Sequence, residues 1–169
     1  MSESVDPLVK ITRIPERGSY KAESINSTFD DGYLRHVAYE SDHGPVVLTT
    51  LYGRHENFVY FDGSPAAEMF RRANSDVNIS LAVTHVDGFV LGRSLFHHSM
   101  NYRSLVAIEK AEKVTDPEEV MHGLEVITEN CLPGRWEEAC KPNDVELRQT
   151  TVFRFELTEA SVKVITGAP

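Results

Sequence analysis

The chain has 169 residues, 41% hydrophobic and 25% charged, which is enough for one domain with its own core. It holds no apolar run near the ~18 residues of a membrane-spanning helix. With 17 Lys and Arg against 26 Asp and Glu, the net charge of −9 excludes a general nucleic-acid binder, because neutralising phosphates takes clustered cations. An anionic ligand must instead be met by a few well-placed basic side chains. Cys131 and Cys140 are not spaced as a zinc or redox pair, so no metal site is read from them. The first residues carry Glu3 and Asp6 without an apolar segment, unlike a secretory leader, and point to a cytoplasmic protein. Residues 1–12 read as a mobile N-terminus, and 13–169 as a single domain.

Ala22, Ile25 and Phe29 recur at helical spacing, and Gly32 supplies a stop. Tyr33–Glu40, Val46–Tyr52 and Phe58–Asp62 read as three strands joined by turns at 41–45 and 53–57, an antiparallel meander. Ser64-Pro65 predicts a helix start, with serine capping and proline in the first turn, and Ala66, Met69, Phe70 and Ala73 as the apolar face. Val77, Ile79, Leu81 and Val83 alternate with polar or small residues as in a half-buried strand. Val86-Asp87-Gly88 predicts a turn into a separate strand, Phe89–Phe96.

The run Phe96-His97-His98-Ser99-Met100-Asn101-Tyr102-Arg103-Ser104 carries more polar groups than a core strand tolerates, since each buried one needs a partner. It is either a solvated loop or the lining of a polar ligand. Ser104–Thr115 then reads as a strand. Asp116-Pro117-Glu118-Glu119 resembles a capping box ahead of a helix with Val120, Leu124, Ile127 and Cys131 on its buried stripe. A connection over 133–142 and a short helical turn lead to strands Thr151–Leu157 and Ser161–Thr166. About eight short strands with about three peripheral helices predict a mainly β, antiparallel barrel.

Several stretches carry a likeness in order along the chain. They are Arg13-Ile14-Pro15-Glu16-Arg17-Gly18-Ser19-Tyr20, Leu51-Tyr52-Gly53-Arg54, Asp62-Gly63-Ser64, His97 to Ser104, Pro133-Gly134-Arg135-Trp136 and Lys163-Val164-Ile165-Thr166-Gly167. Through them the chain resembles the pyridoxamine 5′-phosphate oxidase-like FMN-binding split-barrel family, in its nitroimidazole-resistance-type branch. The resemblance implies a split β-barrel, an FMN cofactor, and a homodimer whose subunits share the flavin site.

By position in the family, Val47, Leu48, Thr49, Thr50, Leu51 and Tyr52 would run along the flavin ring, and Gly63 and Ser64 would turn beside its phosphate. Asn101, Tyr102, Arg103 and Ser104 would contact it from the neighbouring side, Trp136 would cap the site, and Lys163 would lie near it. These residue types suit a flavin, which takes backbone groups at its pyrimidine edge, a ring or apolar surface against its plane, and cations or helix amides at its phosphate. Ser64 at a helix start, with Arg54 or Arg103, would serve the phosphate. The chain departs from the family in following Ser64 with Pro65, Ala66, Ala67 and Glu68 instead of a nearby Lys or Arg. It also carries Lys141 and Ile165 where many relatives have arginine.

The expected function is a flavin-dependent oxidoreductase acting on a small molecule. A flavin carrier or sensor, or a haem-handling relative, is the alternative. His97 and His98 are adjacent, so in a strand they point to opposite faces and do not chelate one ion. Tyr52 and Tyr102 also suit a barrel core whenever the hydroxyl finds a partner. No Ser-His-Asp order or carboxylate pair suggests hydrolysis, so a cofactor would carry any catalysis.

Overall fold

The computed structural model describes residues 5–73 and 78–167. Val77 and the end of the Ala66–Ala73 apolar face lie outside what is described of the chain. In chain order the elements are β1 (Gly18–Ser19), α1 (Ala22–Asp30), β2 (Leu34–Ser41), β3 (Gly44–Leu51), β4 (Gly53–His55), β5 (Phe58–Gly63) and α2 (Glu68–Ala73). They continue with β6 (Asn78–Val90), β7 (Ser99–Lys113), α3 (Pro117–Cys131), α4 (Arg135–Glu138), α5 (Asp144–Gln149), β8 (Thr151–Glu156) and β9 (Ala160–Ile165). The described residues thus form nine strands and five α-helices, where the sequence suggested about eight and three; α4 and α5 are too short to show helical periodicity.

All strand pairs are antiparallel, in the order β3-β2-β6-β7-β8-β5-β4, with β9 added beside β7 and β1 beside β9. β3 also touches β5, which closes the barrel without a hydrogen-bonded seam. Alternation dictates the core: Val37, Ile79, Leu81, Val83, Leu105, Val162, Phe153, Phe155, Val59 and Phe61 all turn inward and are buried. Ile25 and Phe29 of α1 join this cluster, and the Tyr52 hydroxyl donates to the Phe29 carbonyl at 2.5 Å.

Two expectations between residues 86 and 104 are corrected. Val86-Asp87-Gly88 is not a turn but a bulge within β6, which pairs with β7 on both sides of it, from Asn78↔Lys110 to Val90↔Ser99. There is no separate strand 89–96; the hairpin connection contains a short 3₁₀ turn at Leu95–His97. The polar run is accordingly no loop from Ser99 onward but the first part of β7. Its polar side chains are tolerated because this end of the sheet is only half-buried.

The helix expected from Ser64-Pro65 begins at Glu68. Ser64 heads a turn, accepting from the Ala66 amide at 3.3 Å, and the Ala67 carbonyl receives the first helical bond from Arg71. At α3, Asp116 does accept from the Glu119 amide. The Glu119 carboxylate, however, binds Arg154 at 2.9 Å. A capping box with both bonds made occurs at α5 instead, between Asn143 and Glu146.

Candidate functional site

On β2 the odd residues Arg35, Val37, Tyr39 and Ser41 are buried, so the even ones face outward. Register extends this outer face across the sheet. Val47, Thr49 and Leu51 of β3 lie opposite Ala38, His36 and Leu34 of β2. His36 and Ala38 in turn lie opposite Ala82 and Ser80 of β6. Two residues along the same face, Thr84, Ser104 and Lys163 form one row across β6, β7 and β9, and Val86, Tyr102 and Ile165 form the next.

The structure therefore brings Tyr102, Ser104 and Lys163 together and sets Val47, Thr49 and Leu51 on the same face, three strand spacings or about 14 Å from β7. Val47 is 61% exposed, Leu34 48%, Leu51 43% and Val86 56%, an unusual amount of open apolar surface on a sheet. Leu48 and Thr50 lie on the opposite side of β3, facing Val37 and Arg35. β3 ends the hydrogen-bonded path, so one side of its backbone has no ladder partner among the described residues.

The other expected site residues have partners within the chain. Tyr52 is fully buried and is a core side chain, leaving Tyr102 and Trp136 as the available rings. Arg54 forms a two-pronged pair with Asp30 of α1, at 2.8 and 2.5 Å, and also donates to the Glu56 carbonyl. Arg103 is clamped between Asp87 on the β6 bulge, at 3.1 and 3.2 Å, and Asp31 after α1. Both expected phosphate cations are thus already neutralised. Gly63 is required by packing, since a Cβ there would lie 2.2 Å from the Phe70 ring. Asn101 donates to the Gly167 carbonyl at 3.2 Å, tying the C-terminal stretch to β7. Lys163 donates to the Arg13 carbonyl at 3.0 Å, which places the 13–17 segment beside the outer face.

Trp136 sits apart, on α4 against α3, which packs over β4, β5 and β8. Lys141 lies 4.2 Å over its ring. Glu129 accepts from the amides of Gly134 at 2.7 Å and Trp136 at 2.8 Å, and these bonds hold its carboxyl below the usual carboxylate value of 4.5. The contribution is therefore present above the unfolded value and is lost as pH falls through the depressed one. Trp136 is the single tryptophan, so its emission is expected to shift as pH drops below 4.5, and to be shifted already at neutral pH in Glu129→Gln. An emission insensitive to both would show that the contact does not hold α4.

Sequence reading missed Leu34, His36, Thr84 and Val86 on the outer face, although strand parity places them once register is known. It also missed Arg35. This guanidinium is 0% exposed, lies 3.7 Å from the centre of the Phe61 ring, and none of its three nitrogens has a hydrogen-bond partner among the described residues. Burial pushes it down to about 9, against weaker support from Tyr52 and Asp62. Burial also raises Asp62, with Arg35 opposing.

The pyridoxamine 5′-phosphate oxidase family model matches residues 21–164, and the chain belongs to that family, with the split-barrel fold. It is similar to the flavocytochrome Anf3 from Azotobacter vinelandii, with 30% identity and a TM-score of 0.89 over 97% of this chain and 76% of that one. It is also similar to the FAD and haem binding protein from Mycobacterium smegmatis, with 26% identity and a TM-score of 0.85 over 90% of this chain and 75% of that one. A proposed 5-nitroimidazole antibiotic resistance protein from Bacteroides thetaiotaomicron shares the fold at 19% identity, with a TM-score of 0.73 over 87% and 86% of the two chains. No curated protein sequence matches the chain.

Proposed function

We propose that the chain binds a flavin, FMN in the first instance, between two copies of its outer sheet face, and serves as an oxidoreductase toward a small molecule. The carrying observation is the face itself. The β3 edge that has no ladder partner among the described residues, the open apolar side chains Val47, Leu51 and Leu34, and, three strand spacings away, the Tyr102–Ser104–Lys163 cluster all belong to it. These fit the three demands of a flavin: polar backbone, flat apolar surface and a cation. Likeness to a flavocytochrome and to an FAD-binding protein supports the same reading.

A bound flavin supplies hydride or electron transfer at N5. The chain's own part is to orient, desolvate and hold. With Arg54 and Arg103 neutralised by carboxylates and Ser64 away from a helix start, Lys163, which donates to the Arg13 backbone carbonyl, is the cation assigned to the phosphate. In the dimer the second copy covers the exposed face, and the apolar hairpin side chains Phe89, Leu91, Leu95 and Phe96, 72–91% exposed, reach toward it.

The purified protein is expected to show a flavin absorption spectrum and to scatter light as a dimer. FMN should bind more tightly than riboflavin, Lys163→Ala should narrow that difference, and Tyr102→Ala should weaken FMN by about 1 kcal/mol, the usual order for a lost contact or hydrogen bond. Equal affinities for FMN and riboflavin would remove the phosphate assignment. A haem band in place of the flavin spectrum, or a monomer that holds FMN tightly, would overturn the shared flavin site.

A further inference from the structure

We propose that His55 and His122 form a clip for a divalent transition-metal ion of the zinc class, on the α3 side of the barrel and apart from the outer sheet face. Two glycines create it. An added Cβ at Gly53 would fall 2.3 Å from the Val126 carbonyl oxygen, and one at Gly123 would fall 2.8 Å from Val152 and 2.9 Å from the Tyr60 ring. Helix α3 consequently rests with its backbone directly on β4 and β5. His55, two residues after Gly53, emerges on the same side of β4 and meets His122 on the helix.

The facing nitrogens, Nδ1 of His55 and Nε2 of His122, are 3.3 Å apart, with ring centroids at 4.7 Å and planes at 80°. That separation is at the long end for a hydrogen bond. It equals the edge of a tetrahedron whose zinc–nitrogen bonds are ~2.0–2.1 Å, which is about 3.3–3.4 Å. The Tyr60 ring packs edge-on at 5.7 Å against His122 and holds it in place.

Both signs of charge surround the pair: Glu118, Glu125 and Lys141 line a depression on one side of His122, and Arg54 stands on the other. A depression of about 440 Å³ is lined by Arg54, His55, His122, Glu125, Val126, Glu129 and Asn130. The Arg54 charge is already consumed by Asp30. Of the carboxylates along this part of α3, Glu119 is bound to Arg154 and Glu129 to two backbone amides. Glu125 stands one turn beyond His122 on the same helix face, with no such bond. The described residues hold no ready-made group of three metal-binding side chains. The clip is therefore two imidazoles completed by water, with Glu125 as the nearby anion, a donor set that suits zinc, copper(II) or nickel.

Titration calorimetry of the whole protein, as purified and after treatment with a chelator, tests this with zinc chloride as the probe. The expected result is one saturable zinc ion per chain, at least about tenfold weaker binding in His55→Ala and in His122→Ala, and unchanged binding in His97→Ala. Glu125→Gln, which leaves both imidazoles in place, should weaken zinc less than either histidine variant. An unaltered circular dichroism spectrum and melting point serve as the folding check for the histidine variants. Absence of saturable zinc binding, or binding that survives loss of both His55 and His122, would overturn the site. Neither result bears on the flavin, whose binding is read from its own spectrum.

Discussion

Replacing Arg35 by methionine is expected to make the protein more stable, by about 1–4 kcal/mol in urea unfolding, the range seen when buried charged groups give way to apolar ones. The physical balance is lopsided. A guanidinium taken wholly out of water costs several kcal/mol, and here none of its nitrogens regains a hydrogen bond. The Phe61 face at 3.7 Å returns about 2 kcal/mol, and the electrostatic support of Asp62 stops short of an ion pair. Methionine keeps the length and flexibility of the side chain and fills the same space against Phe61. A variant less stable than the parent would show that Arg35 is satisfied in solution by a buried water or anion.

Gly53→Ala is expected to have the opposite and equally large effect. The atom in the way is the Val126 backbone oxygen at 2.3 Å, which no rotamer change can move, so α3 must lift from β4 or the strand must bend. Overpacking of this kind costs about 1–3 kcal/mol and can cost more where backbone meets backbone. Lifting the helix would also loosen Asn130, whose amide donates to the carbonyls of Gly32 at 2.9 Å and Tyr52 at 3.0 Å. Thermal unfolding checks it, with Gly134→Ala as a comparison at a surface position where an added Cβ meets nothing but φ is +83°. If Gly53→Ala melts with the parent, α3 does not sit this close on β4 in solution.

Much of the architecture was legible because strand alternation and helix caps are local signals. Ile79, Leu81 and Val83 announced their buried side, and Asp116-Pro117 announced α3 within a residue. The hairpin at 86–104 was not legible, because Asp-Gly writes a turn and a bulge in the same letters and only the long pairing of β6 with β7 decides between them. For the candidate site, the motif residues could be named, but their companions depend on register. Nothing in the letters says that Ser104 stands beside Lys163, or that Arg54 and Arg103 are spent on Asp30, Asp31 and Asp87. Arg35 was invisible for the reverse reason: it breaks the rule that charged side chains in a strand face outward.

Strand β7 belongs to both halves of the barrel. Residues 102–107 pair with β9, and residues 111–113 pair with β8. Neither half can close until this one strand is in place, and its partners lie about 40 or more residues away along the chain at Phe153 and beyond. Closure therefore waits on non-local pairing, and a nascent chain holds β1, β5 and β7 with unfilled edges until β8 and β9 emerge. The same continuity joins the outer face to the helix side through one stretch of backbone, which runs from Tyr102 beside β9 to Lys113 beside β8, a strand that seats α3.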